Sequence, residues 1–184
     1  MYEQFKSRAE GVGSELHRFR TRGDALDFIK TFLQHEGTRN APGFYAAWAP
    51  GRFLNGLDTA RLSAEIPGLS FTVSKEKAAD SLIGISDMDW ALADTGSLVA
   101  NQTAVEQRLA STLPTIHIAI IGTDRILADK TAVFSRITPL TSRYIAFITG
   151  PSRTADIERV LTIGVHGPKR LVIVLVDEME GAAV

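Results

Sequence analysis

The chain has 184 residues, of which 45% are hydrophobic and 22% charged, the balance of an ordinary globular domain. A formal net charge of −1 argues against a general binder of nucleic-acid phosphates. The absence of cysteine excludes disulfides, thiolate metal sites, cysteine nucleophiles and an intrinsic iron–sulfur cluster. The opening residues are charged where a leader would be apolar, and no apolar run is long enough to span a bilayer, so a single cytoplasmic domain over residues 1–184 is expected.

Residues 1–40 read as a helical N-terminal part. "MYEQFKSRAEGV" has the pattern of a short polar helix, and "SELHRFR" alternates weakly, as an edge strand does. "RGDALDFIKTFLQHEG" is an amphipathic helix: Ala25, Leu26, Phe28, Ile29, Phe32 and Leu33 share a face, Asp24 sits in the first turn and Gly37 stops it. The arginines of "LHRFRTRGD" read as a solvated surface. "GFYAAW" and "LSFTV" read as strands, with a short helix in "LDTARLSAEIPG" between them.

Three short apolar runs follow, "IHIAIIG", "YIAFITG" and "LVIVLVD", rich in β-branched residues and suited to strands covered on both faces. Helical patterns lie between them, in "DRILADKTAVFSRI" and in "SRTADIERVLTIG", where Gly164 fits a C-terminal cap. Strand, helix, strand, helix, strand is the order of a doubly covered, Rossmann-like α/β sheet, largely parallel.

"ALADTGSLV" raises a separate question, because Asp94-Thr95-Gly96 looks like the active-site loop of an aspartic protease. Such enzymes pair two aspartates from two β-rich lobes. Here "NQTAVEQRLASTLP" is partly helical and "AIIG" runs into a helical pattern, so the protease reading fails. Two readings remain: the tight turn of a β-hairpin near residues 88–100, and one wall of a ligand site.

In "FITGPSRTADIERVL" a strand runs into Gly150-Pro151-Ser152-Arg153-Thr154, and a helix is expected to begin at once. That places free backbone amides, two hydroxyls and the Arg153 guanidinium where an open α/β sheet binds anions. Read structurally, Ser152 or Thr154 caps the helix, Asp156 and Glu158 favour its dipole and Arg153 lies in solvent. His166, in "GVHGPKR", is either a C-terminal cap or a catalytic candidate, in a loop expected at the far end of the sheet from Arg153. His17, His35 and His117 read as surface, helix-end and buried-strand residues, with no pair at metal-ligand spacing. Asp87 and Asp89 read as a carboxylate pair able to bind a cation, or as a turn and a cap.

"GISDMDWALADTGSLV", "TIHIAIIGTDRI" and "ITGPSRTADIERVLTIGVHGPKRLVIVLVD" together resemble the LUD-domain family, most closely over residues 84–177. The resemblance implies a fold similar to the sugar-phosphate isomerase and coenzyme A transferase superfamily. It also implies a cluster-free role in oxidising L-lactate to pyruvate beside iron–sulfur partner proteins. The family often carries Glu-Thr-Gly where this chain has Asp94-Thr95-Gly96. The side chain is shorter by one methylene, which fits binding better than a glutamate-type nucleophile.

Asp94, Thr95 and Gly96, with Gly150, Ser152, Arg153 and Thr154, are then the expected ligand-binding residues for a small carboxylate or phosphate. Asp94 and His166 are the catalytic candidates, and no metal site is expected. Two other readings stand beside this one: a stand-alone transferase or cyclo-ligase-like enzyme acting on an acyl, folate-like or nucleotide substrate, with coenzyme A or a nucleotide as cofactor; and a non-catalytic scaffold for iron–sulfur proteins. A homo-oligomer is compatible with each.

Overall fold

A computed structural model describes residues 1–138, 140, 142–155, 161–164 and 166–179. Its centre is a six-stranded parallel sheet of β1 (Glu15–Thr21), β2 (Tyr45–Trp48), β3 (Leu69–Ser70), β4 (Ser81–Asp87), β7 (Ile116–Gly122) and β12 (Arg170–Glu178), in the order β1-β12-β7-β4-β2-β3. The runs "IHIAIIG" and "LVIVLVD" are its middle strands β7 and β12, which pair in register from Arg170↔Ile116 to Val176↔Gly122.

Alternation along these strands divides the core. Ile116, Ile118, Ile120, Val172, Val174 and Val176 face Ala25, Ile29 and Leu33 of α2 (Arg22–His35) and Leu62 of α3 (Thr59–Glu65). Ala119, Ile121, Leu171, Ile173 and Leu175 face the other way, onto Phe5 and Ala9 of α1 (Tyr2–Gly11) and onto a second sheet. Thr21 caps α2, its hydroxyl accepting from the Asp24 amide at 3.1 Å, so the strong periodicity starts where the sequence places it. The expected edge strand is β1, held by β12 alone in the central sheet. Two short helices, α4 (Lys75–Ala79) and α5 (Val105–Thr112), precede β4 and β7.

The second sheet has four strands, β5 (Trp90–Leu92), β6 (Ser97–Asn101), β8 (Ile126–Leu127) and β9 (Ile145–Ile148), in the order β8-β5-β6-β9. The expected hairpin near residues 88–100 is β5–β6. Small residues there, Ala91, Ala93 and Ala100, let the two sheets approach closely.

Three expectations are corrected. "YIAFITG" does not join the central sheet: β9 runs antiparallel to β6, with Leu98 opposite Ile148 and with Phe147 exposed. An apolar run fits a half-covered edge as well as a buried centre, and composition alone does not separate them. "DRILADKTAVFSRI" is not one helix. A 3₁₀ turn (Thr123–Arg125) leads into β8, and α6 (Lys130–Phe134) starts only after Asp129 accepts the Ala132 amide at 3.0 Å. "SRTADIERVLTIG" does not open as a helix either. β10 (Arg153–Ala155) and β11 (Leu161–Ile163) form an antiparallel pair with Arg153 opposite Ile163. Asp156 and Glu158 lie outside the described residues.

Candidate functional site

Asp94, Thr95 and Gly96 form the turn of the β5–β6 hairpin, closed by the Gly96 amide donating to the Leu92 carbonyl at 2.9 Å. Asp94 is exposed, and its backbone amide donates to the Ala128 carbonyl at 3.1 Å. Gly96 has φ +69°, and a Cβ there would lie 2.3 Å from the Ala9 nitrogen. The turn is therefore pressed against the last turns of α1, and only glycine allows both the backbone angle and the approach.

The loop after β9 meets the same helix. A Cβ on Gly150, at φ +72°, would lie 2.5 Å from the Val12 carbonyl oxygen. The Arg153 guanidinium donates to that carbonyl. Between the two motifs, the Ser97 and Thr149 hydroxyls share a hydrogen bond of 2.7 Å. The hairpin turn and the Gly150 loop are thus neighbours at one end of the second sheet, both resting on α1.

Because no helix begins at Ser152, the expected anion site at a helix N-terminus is absent there. The β10–β11 hairpin instead folds the chain back on itself. The Ser152 amide donates to the Pro168 carbonyl at 2.9 Å, and the Gly164 amide to the Ser152 carbonyl at 2.8 Å. The His166 loop, expected at the opposite end of the sheet, therefore lies beside Gly150 and Ser152. Together they wall a cavity of about 280 Å³ that Ser111 and Thr112 of α5, His117 of β7, Ile148 of β9 and Leu171 of β12 complete. Gly150, Ser152 and His166 are thereby brought together. Asp94, Thr95, Gly96 and Arg153 are not among the residues lining it: Gly96 packs on α1, Arg153 bonds to the Val12 carbonyl, and Thr154 is in strand β10, opposite Thr162.

His117 deepens this cavity. It is fully buried, its Nε2 is 2.9 Å from the Ser86 hydroxyl, and its Nδ1 has no partner among the described residues. Burial drives its pKa down to about 3, so the ring is neutral. The signal available in the sequence was one polar residue inside the apolar run "IHIAIIG".

Asp87 and Asp89 part company. Asp87, buried at the end of β4, accepts the Phe53 amide at 2.8 Å on one oxygen and, among the described residues, has no partner on the other. Burial pushes its carboxyl above the usual range, opposed by the Phe53 amide and the Arg52 charge. Asp89 accepts the Asn101 amide at 2.7 Å. Each fastens a loop, and among the described residues no group of three or more His, Asp or Glu could hold a metal. A second recess, of about 580 Å³, lies past β2 and is lined by Pro50, Gly51, Arg52, Leu54, Asn55 and Phe71.

The model of the LUD domain matches residues 2–176 of this sequence. The chain belongs to the LUD-domain family. Among similar LUD-family proteins, Lactate utilization protein C of Shouchella clausii is 36% identical over 110 residues, 57% of this chain and 48% of the relative. Lactate utilization protein C of Macrococcus caseolyticus is 31% identical over 166 residues, 83% of this chain and 69% of the relative. Against several of these relatives the chain spans about half their length, as with the 48%, 49% and 47% covered of three of them. A solved structure, a DUF162 family protein from Deinococcus radiodurans, shares the fold with a TM-score of 0.62 at 18% identity, covering 95% of each chain. The LUD-family match takes in every residue lining the cavity, from Ser111 to Leu171.

Proposed function

We propose that this LUD-family chain is a cluster-free component of an L-lactate oxidation system, acting in the cytoplasm beside iron–sulfur partner proteins. The observation that carries the reading is the family match over residues 2–176, with relatives named Lactate utilization protein C. A chain without cysteine must leave cluster-borne electron transfer to a partner. Among the described residues no helix is long and apolar enough to cross a membrane.

In this reading the cavity between Gly150, Ser152 and His166 takes a small carboxylate. The Ser152 hydroxyl and the His166 ring supply its hydrogen bonds, and Ile148 and Leu171 face the ligand's carbon skeleton. Calorimetry with L-lactate and pyruvate tests it, together with growth on lactate of a strain carrying Ser152→Ala or His166→Ala in this chain. Binding of either acid, lost in the variants along with growth, is the expected result. Full growth with both variants and no binding of either acid overturns it.

One observation favours a scaffold without catalysis. The Arg153 guanidinium is spent on the Val12 carbonyl and Gly96 on the seat of α1, so two expected ligand residues also serve internal packing. Capture of iron–sulfur proteins by wild type and cavity variants alike, without ligand binding, is the outcome that selects it.

A further inference from the structure

We infer that His117 is the specificity-determining residue of the cavity, reading the oxygen on the second carbon of a 2-hydroxy or 2-oxo carboxylate. This rests on the reading above that the cavity takes a small carboxylate.

A fully buried polar atom without a partner costs free energy that a folded protein normally avoids. His117 is 0% exposed, yet its Nδ1 has no hydrogen-bond partner among the described residues. The ring also lines the cavity, next to Leu171, its register partner on β12. A ring that lines a small cavity and carries an unmet polar atom is the arrangement that a ligand's polar group, on reaching Nδ1, completes.

Ser86 sets what kind of group that is. It is itself 0% exposed and lies 2.9 Å from Nε2. We assign the Ser86 hydroxyl as the donor to Nε2, which leaves the ring proton on Nδ1 as a donor for a ligand. A donor there suits a hydroxyl oxygen and a keto oxygen equally, so one geometry serves both redox forms of the acid. The ring is neutral, held there by burial, and brings no charge to the carboxylate. Among the described residues lining the cavity there is no lysine or arginine. The carboxylate therefore lies at the exposed rim with His166, and the carbon chain points inward between Ile148 and Leu171.

The experiment compares L-lactate with propionate, the same three-carbon acid lacking the hydroxyl, by calorimetry on the full chain. Wild type is expected to bind lactate about tenfold more tightly, the worth of one good hydrogen bond. His117→Phe should reduce that preference to about twofold, and His117→Asn, whose amide falls near the Nδ1 position, should restore part of it. On the wild-type protein, with no substitution, lactate but not propionate should shift the His117 ring nitrogen resonances. Equal binding of the two acids to wild type overturns the role of His117 and leaves the carboxylate site standing. Binding of neither acid overturns both.

Discussion

Ser97 and Thr149 face each other across the β6–β9 pair, their hydroxyls 2.7 Å apart. Each is the immediate neighbour of a glycine that leans on α1, Gly96 on one side and Gly150 on the other. This hydrogen bond therefore fixes how two turns distant in sequence share one helix as their support.

Ser97→Ala and Thr149→Val should each lower stability by about 1 kcal/mol, the net worth of a partly buried hydrogen bond. The double variant should cost little more than either single one, because both remove the same interaction. Urea unfolding of the four proteins checks this, and full additivity would show that the two hydroxyls act separately.

Gly96→Ala should destabilise by more than the ~1 kcal/mol that a positive φ alone imposes. The added Cβ would lie 2.3 Å from the Ala9 nitrogen, so α1 must shift as well. Hydrogen exchange should show lost protection in α1 while β7 and β12 keep theirs. An unchanged α1 would refute the close packing of turn and helix.

His117 gives stability a pH dependence. Its folded pKa, about 3, lies below the unfolded value near 6.5. The unfolded chain thus binds the extra proton first on acidification, and the contribution present above about pH 6.5 is lost as pH falls toward 3. His117→Phe should flatten the stability profile over this interval. A wild-type profile already flat between neutral and mildly acidic pH would contradict a buried neutral imidazole.

Glu15 acts at lower pH. It takes a bidentate contact from Arg170, at 2.7 and 2.9 Å, and Arg170 also reaches Glu36 at 2.7 Å. The Arg170 hydrogen bonds hold the Glu15 carboxyl below the usual carboxylate range, against its partial burial. Its stabilisation is present above the ordinary glutamate range and is lost as pH falls through the lowered value. Glu15→Gln should cost about 1 kcal/mol at neutral pH, since the pair is half exposed. It should match wild type once acid has protonated the carboxyl in both folded and unfolded states. Thermal unfolding across that range tests the convergence.

Gly51 and Asp87 form a tight pair, because a Cβ on Gly51 would lie 2.6 Å from the Asp87 carboxylate. Gly51→Ala should destabilise by roughly 1–3 kcal/mol through overpacking, and Asp87→Ala in the same chain should relieve part of that cost. A second substitution that only adds to the first would place the strain elsewhere.

Where one physical signal acted alone, the sequence was legible. The amphipathic face of α2, the doubly buried runs of β7 and β12 and the Asp-Thr-Gly turn each follow from local pattern, and each is found where expected. The errors cluster between residues 123 and 164, where the β-branched residues Ile126, Ile145, Ile148, Thr154 and Ile163 fall in strands while neighbouring spacings suit a helix. Side chains can meet helical spacing and still be drawn into pairing by a neighbouring strand edge, and that edge is invisible from the sequence. The same error misplaced His166: a helix would have carried it across the sheet, whereas a hairpin returns it to Ser152. His117 reads from the sequence as a buried-strand residue and is one, whereas the unpartnered state of its Nδ1 depends on neighbours distant in sequence.

The pairing of β1 with β12 joins residues 15–21 to residues 170–178. Its cost in loop closure comes late, since β1 waits for residues 170–178 before gaining β12, its one neighbour in the central sheet among the described residues. A stalled chain ending short of residue 170 would leave β1 as an open edge that another nascent copy could occupy.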